Sequence, residues 1–195
     1  FLMTIMSASD HWMYISSSGC LTAGRQKPDY ALFPYITDDL LHKNAGSTGP
    51  ITAIKFGKKN KHSLWQPFSS QIDDFKKERN LYKNSLGNKI KFEEFNHTNG
   101  LTFSYSWHSS EEFGFVRKAI LKNDSDDTIQ ISLVDGLINI MPAGVDLRTQ
   151  QSMSNLANAY KVSEYNQNYK YALFYLNALL LDTPEPGESL NTNIV

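Results

Sequence analysis

From Leu101 through Thr102, Phe103, Ser104, Tyr105, Ser106, Trp107 and His108, every odd position is apolar and every even one polar. A period of two belongs to a strand whose alternate side chains enter one core, and it predicts a sheet with one buried face. Ile90 and Phe92 alternate with Lys89 and Lys91, and Ile129, Ile131 and Leu133 with Gln130 and Ser132. Phe113 to Leu121 lies between these segments, and polar turns at Asn96 to Gly100 and at Lys122 to Asp127 separate them. Strands at this spacing between Leu81 and Ile140 predict an antiparallel meander.

Shorter strands are predicted earlier in the chain. They are Trp12 to Ser16, Leu21 to Arg25 after the turn Ser17-Ser18-Gly19, Ala31 to Phe33 ended by Pro34, and Ile51 to Phe56. Between Tyr35 and His42, Thr37 or Asp38 is placed to cap a helical turn. The basic run Lys55, Lys58, Lys59 and Lys61 reads as a solvated hairpin tip. From Asp146 to Tyr165, Met153, Leu156, Ala157 and Tyr160 follow helical spacing, which predicts an amphipathic helix capped by Asp146. Tyr171 to Leu181 is apolar on both faces and is taken as a buried strand, ended by Thr183 to Gly187. The sum is a mainly β chain: a twisted antiparallel β-sandwich, supersandwich-like, with one amphipathic helix, residues 1–195 forming a single domain. The chain opens at Phe1-Leu2-Met3 without a basic leader and stops in the strand-like run Asn191 to Val195, so a piece of a longer multidomain protein is expected.

Composition narrows the function classes. Nineteen Lys and Arg against twenty Asp and Glu give a net charge of -1, which argues against a nucleic-acid partner held by phosphate neutralisation. No run of about 18 apolar residues occurs, so no membrane span is expected. The aromatic fraction of 12% suits half-buried pleated surfaces, and aromatic faces also serve sugar binding. Cys20 is the sole cysteine, which excludes an internal disulfide and a multi-cysteine metal site, and its neighbours Gly19 and Leu21 supply no base.

Carboxylates occur in adjacent pairs: Asp38-Asp39, Glu93-Glu94, Glu111-Glu112 and Asp126-Asp127. A glycosidase needs two carboxyl groups roughly 5 to 10 Å apart across a sugar ring. Neighbours in a strand point to opposite faces, so neither glutamate pair meets that need by itself. Asp38-Asp39, after Phe33-Pro34-Tyr35, is a candidate for sugar hydroxyls or a cation as well as for capping. The five histidines, His11, His42, His62, His97 and His108, show no zinc-ligand spacing, and neither a phosphate-cradling loop nor a serine elbow occurs. Trp107 belongs to the core pattern, whereas Trp12 and Trp65 flank loops. An indole face with a bidentate arginine such as Arg25 is an economical sugar subsite. The candidate carbohydrate contacts are Trp12, Arg25, Tyr35, Asp38, Asp39 and Trp65, with no metal or cofactor.

Three stretches together resemble a known architecture. Ser9 to Ser17 leads into Gly24-Arg25 and Leu32-Phe33-Pro34-Tyr35. Arg79 to Asn84 is followed by Phe92-Glu93-Glu94, and Ser109 to Phe115 by Leu121-Lys122-Asn123 and Leu133 to Gly136. This resembles the amino-terminal galactose-mutarotase-like β-supersandwich of large bacterial glycoside-hydrolase-like proteins, similar to the cellobiose-phosphorylase group. The resemblance implies that the general acid and most sugar subsites lie in a helical toroid outside these residues. The present chain would then scaffold or complete a saccharide site with a neighbouring domain, and no catalytic residue carries over. The expected partners are a neutral oligosaccharide or polysaccharide and that domain; periplasmic or extracellular placement fits such a role. The alternatives are a non-enzymatic cell-surface interaction or carbohydrate-binding module and a small self-sufficient mutarotase or isomerase.

Overall fold

The computed structural model describes residues 2–58, 61–112, 114–178, 180 and 193–194. It is mainly β, and every strand pairing in it is antiparallel. Strands β1 (Leu2–Met6), β2 (His11–Ser16), β3 (Leu21–Arg25) and β4 (Ala31–Phe33) make a first sheet in chain order. A hairpin follows, β5 (Gly49–Lys58) and β6 (Lys61–Trp65). Then come the predicted meander strands β7 (Lys77–Lys83), β8 (Lys89–Asn96), β9 (Leu101–Ser110) and β10 (Gly114–Asn123), in consecutive order. The next strand, β11 (Gln130–Ile138), leaves the meander and pairs with β5 instead, matching Leu133 with Ile54 and Ile131 with Phe56. Two short helices, α1 (Leu147–Ser152) and α2 (Ser154–Ala159), precede a last sheet of β12 (Lys161–Asn166), β13 (Tyr171–Leu176) and β14 (Asn193–Ile194).

The sandwich follows from where the apolar faces go. Met3, Ile5, Met13, Ile15 and Phe33 of the first sheet and Ile54, Phe56 and Trp65 of the β5–β6–β11 sheet share one core with the inner face of the meander. That inner face carries Ile90, Phe92, Phe103, Tyr105 and Trp107. Its alternation is as the sequence predicts, with one difference: Thr102, Ser104 and Ser106 on the other face of β9 are buried too. They are short side chains on a central strand. Register places the longer Lys91, Glu93 and Phe95 on one side of them and Lys118, Ile120 and Lys122 on the other, and these shield the row from solvent.

The expected helix is corrected. Met153 adopts φ -135° and breaks the segment into two helices of six residues each, and the chain from Lys161 to Asn166 is strand. Met153 and Leu156 are exposed and only Ala157 is buried, so the helical spacing counted two residues that do not face a core. Asp146 is nonetheless the cap, accepting from Thr149 N at 2.7 Å. Residues Tyr171–Leu176 are a strand as expected, though half-buried rather than enclosed except at Leu176. The basic run does sit at a hairpin, where Lys58 pairs with Lys61. Lys59, Phe113, Leu181 and the terminator Thr183 to Gly187 lie outside the described residues.

Candidate functional site

The charged residue on the apolar face of β8 organises the site. Alternation sends Glu93 outward, where it accepts from Tyr82 Oη at 3.0 Å and pairs with Lys91. It sends Glu94 inward beside Phe92, fully enclosed. A buried carboxylate is tolerated only when its oxygens are occupied by donors. Glu94 Oε1 accepts from the Trp65 indole at 2.7 Å. Its Oε2 accepts from Phe68 N at 2.8 Å and from Arg79 Nε at 2.6 Å. Arg79 also donates through Nη2 to Ser69 O at 2.7 Å. One carboxylate thereby fixes the start of the loop after β6. Phe68, whose φ of +63° is costly for a side chain with a Cβ, is held in that conformation by this bond.

The pinned loop forms one wall of a cleft of about 630 Å³. The other walls are the Ser17–Cys20 turn, the segment from Asn44 to Thr52 and the edge residues Arg79 to Leu81. The floor is aromatic. Phe92 and Tyr105 stack at 4.9 Å, and Phe68 meets Tyr105 edge-on at 5.2 Å. Among the described lining residues, Ser18, Asn44, Thr52, Gln66, Gln71 and Asn80 supply neutral hydrogen-bonding groups, and no carboxylate or histidine belongs to the lining. Arg79 is the one cation among the described lining residues, and its charge is balanced by Glu94 behind it.

Beneath the floor lies a second polar cluster. Arg117 and Asp135 form a bidentate pair, Nη1 to Oδ2 at 2.7 Å and Nη2 to Oδ1 at 2.8 Å. Thr52 donates to Asp135 Oδ1 at 2.6 Å, and the guanidinium stacks over the Tyr105 ring at 5.1 Å. Burial pushes the Asp135 carboxyl up, but the bonds from Arg117 and Thr52 outweigh it and hold the group below the usual aspartate range. Burial raises the Tyr105 phenol well above its ordinary value, against the opposing Arg117 charge. The Tyr105 hydroxyl lies at the Gly19 turn, 2.8 Å from where a Cβ on that glycine would sit, and Gly19 has φ +84°. Only a residue without a side chain fits there.

The six residues singled out from the sequence fall elsewhere, and none lines this cleft. Trp65 is not a sugar platform: it is completely enclosed, with its N–H spent on Glu94. Trp12 is also a core residue. Its ring closes over Gly24, where a Cβ would come within 2.6 Å of Cζ2. Tyr35 meets Trp12 edge-on at 5.9 Å, so those two are brought together, and Tyr35 N is anchored on Gln150 Oε1 at 3.1 Å. Arg25 is exposed at the end of β3 and donates to Ser9 O at 3.3 Å. Asp38 and Asp39 are exposed at the start of a 3-10 helix, Asp38–Asn44, whose cap residue is Thr37, without a side-chain cap bond. The Asp38 carboxylate turns to its neighbour, accepting from Asp39 N at 3.0 Å. No group of three His, Cys, Asp or Glu suited to a metal occurs among the described residues.

The cleft residues were present in the sequence without a spacing to mark them. The usable signal was Glu94 itself, since an acid in register with Phe92 on an apolar face must recruit donors. The chain matches no protein-family model and no curated protein, so the geometry of the cleft carries the functional reading.

Proposed function

We propose that this chain is the non-catalytic β-sandwich portion of a carbohydrate-active protein, and that the cleft above the Phe68–Phe92–Tyr105 floor receives a neutral saccharide. The observation that carries this reading is the cleft's lining. A rigid aromatic base is ringed by uncharged amide and hydroxyl groups, with the Arg79 cation neutralised from behind. A sugar presents the complement, an apolar C–H face bordered by hydroxyls that both donate and accept. With no carboxylate or histidine among the described lining residues, the cleft is read as a site that holds a ligand. Exposed Arg25, Asp38 and Asp39 then belong to the surface offered to a neighbouring domain.

Calorimetric titration with the neutral trisaccharides cellotriose, maltotriose and xylotriose tests the reading. Binding of one of them, weakened several-fold by Gln71→Ala or Asn80→Ala at unchanged melting temperature, is the expected result. No heat with any of them at millimolar concentration would refute it. A second reading, a non-enzymatic interaction module, is favoured by the apolar side chains exposed on β11, among them Ile131, Leu133 and Val134. It predicts self-association or docking that Val134→Lys abolishes.

A further inference from the structure

We propose that Tyr105 and Thr52, set over the Arg117–Asp135 ion pair, are the specificity-determining floor of the cleft and bind hydroxyl groups of the saccharide, Tyr105 as donor and Thr52 as acceptor. This rests on the saccharide reading of the cleft and adds which of its groups select the ligand.

The Tyr105 side chain is buried on the inner face of β9, yet its hydroxyl has no hydrogen-bond partner among the described residues, and the residue lines the cleft. The ring is buried but the hydroxyl reaches the solvent of the cleft, so a ligand hydroxyl can take the place of water there. The ring cannot turn away: Phe92 stacks on it, Phe68 meets it edge-on and Arg117 stacks over it at 5.1 Å. The phenol is protonated through the neutral range, as an ordinary tyrosine is, and so has a proton to donate. The nearby guanidinium draws electron density from the ring and strengthens that donor.

Thr52 is set the opposite way. Its hydroxyl proton is committed to Asp135 at 2.6 Å, and that carboxylate, held anionic by Arg117, can only accept. Toward the cleft, which Thr52 also lines, the hydroxyl therefore offers lone pairs. A phenol with a proton to donate beside a hydroxyl that can only accept matches a polyol. The two groups mismatch a ligand edge carrying only acceptors, such as a carboxylate, which leaves the Thr52 lone pairs unmet.

The test uses Tyr105→Phe and Thr52→Val, which keep ring and branch volume and delete one hydroxyl each. Against whichever neutral trisaccharide binds the unmodified chain, each variant is expected to lose about ten-fold in affinity, the worth of one neutral hydrogen bond. Monodeoxy analogues of that sugar extend the test. The analogue lacking the contacted hydroxyl should bind the unmodified chain and the matching variant equally, which a merely structural role would not produce. Unchanged affinity in both variants, with Gln71→Ala still weakening binding, overturns this inference and leaves the saccharide reading standing. Failure of the unmodified chain to bind any of the sugars overturns both.

Discussion

Glu94→Ala is expected to be far more damaging than Glu93→Ala, although the two residues are neighbours of the same type. Deleting Glu94 leaves the Trp65 indole N–H and the Phe68 amide, both bonded to it inside the protein, without acceptors. Each stranded donor costs about 1–3 kcal/mol. Arg79 loses a partner but its side chain is 47% exposed, so water replaces most of that interaction. The total is about 4 kcal/mol, or a fall in melting temperature of about 8–16 °C at this chain length. Removing Glu93 strands nothing inside. Its partners Lys91 and Tyr82 are themselves 39% and 48% exposed and turn to water, for a loss of about 1 kcal/mol. Urea unfolding followed by tryptophan fluorescence measures both, with the slope checked for constancy. Equal losses for the two variants, or a loss under about 1 kcal/mol for Glu94→Ala, would refute the role given to this carboxylate.

Two further outcomes follow from the same packing. Gly24→Ala would bring a Cβ within 2.6 Å of Trp12 Cζ2, 2.7 Å of Tyr30 O and 2.8 Å of Ala31 Cα. Two of those are backbone positions that cannot yield cheaply, so thermal unfolding should report about 1–3 kcal/mol of overpacking. Asp135→Asn should lower stability by about 2 kcal/mol above pH 5, because it breaks a bidentate pair with little exposure. Asp135 has a folded-state pKa below its unfolded value of about 3.9. Its contribution is therefore complete above that value and lost as the pH falls through the folded one. The gap between the unmodified chain and the variant should narrow below about pH 4 in denaturant titrations, and a gap that stayed constant would exclude the pair as its source.

The β character of the chain was legible because two-residue alternation is a local property, and the sequence of β9 from Leu101 to His108 and the start of β8 display it. What local pattern could not carry was partner choice. Ile131 and Leu133 have the same alternation whether they extend the meander or join β5, and only the assembled core decides. The helix was overread because Met153 and Leu156 have helical spacing but no apolar surface to meet, while Val162 to Asn166 found a strand partner in β13. The depth of the two tryptophans was not legible in the sequence, for a related reason. Proximity to a loop in sequence says nothing of depth, and an indole beside a buried acid is drawn inward to give up its N–H. The cleft draws on segments from Ser17 to Tyr105, a convergence without any spacing rule.

The switch of β11 from the meander to β5 has a consequence for how the molecule assembles. Asp135 and Thr52, hydrogen-bonded across that pairing, are separated by more than eighty positions of chain. Until β11 has been synthesised, β5 presents a bare edge carrying Ile51 and Ala53 among others, a template for illegitimate strand addition. Polypeptides truncated before Gln130 should therefore accumulate as insoluble material, and the intact chain should gain its final sheet late and slowly.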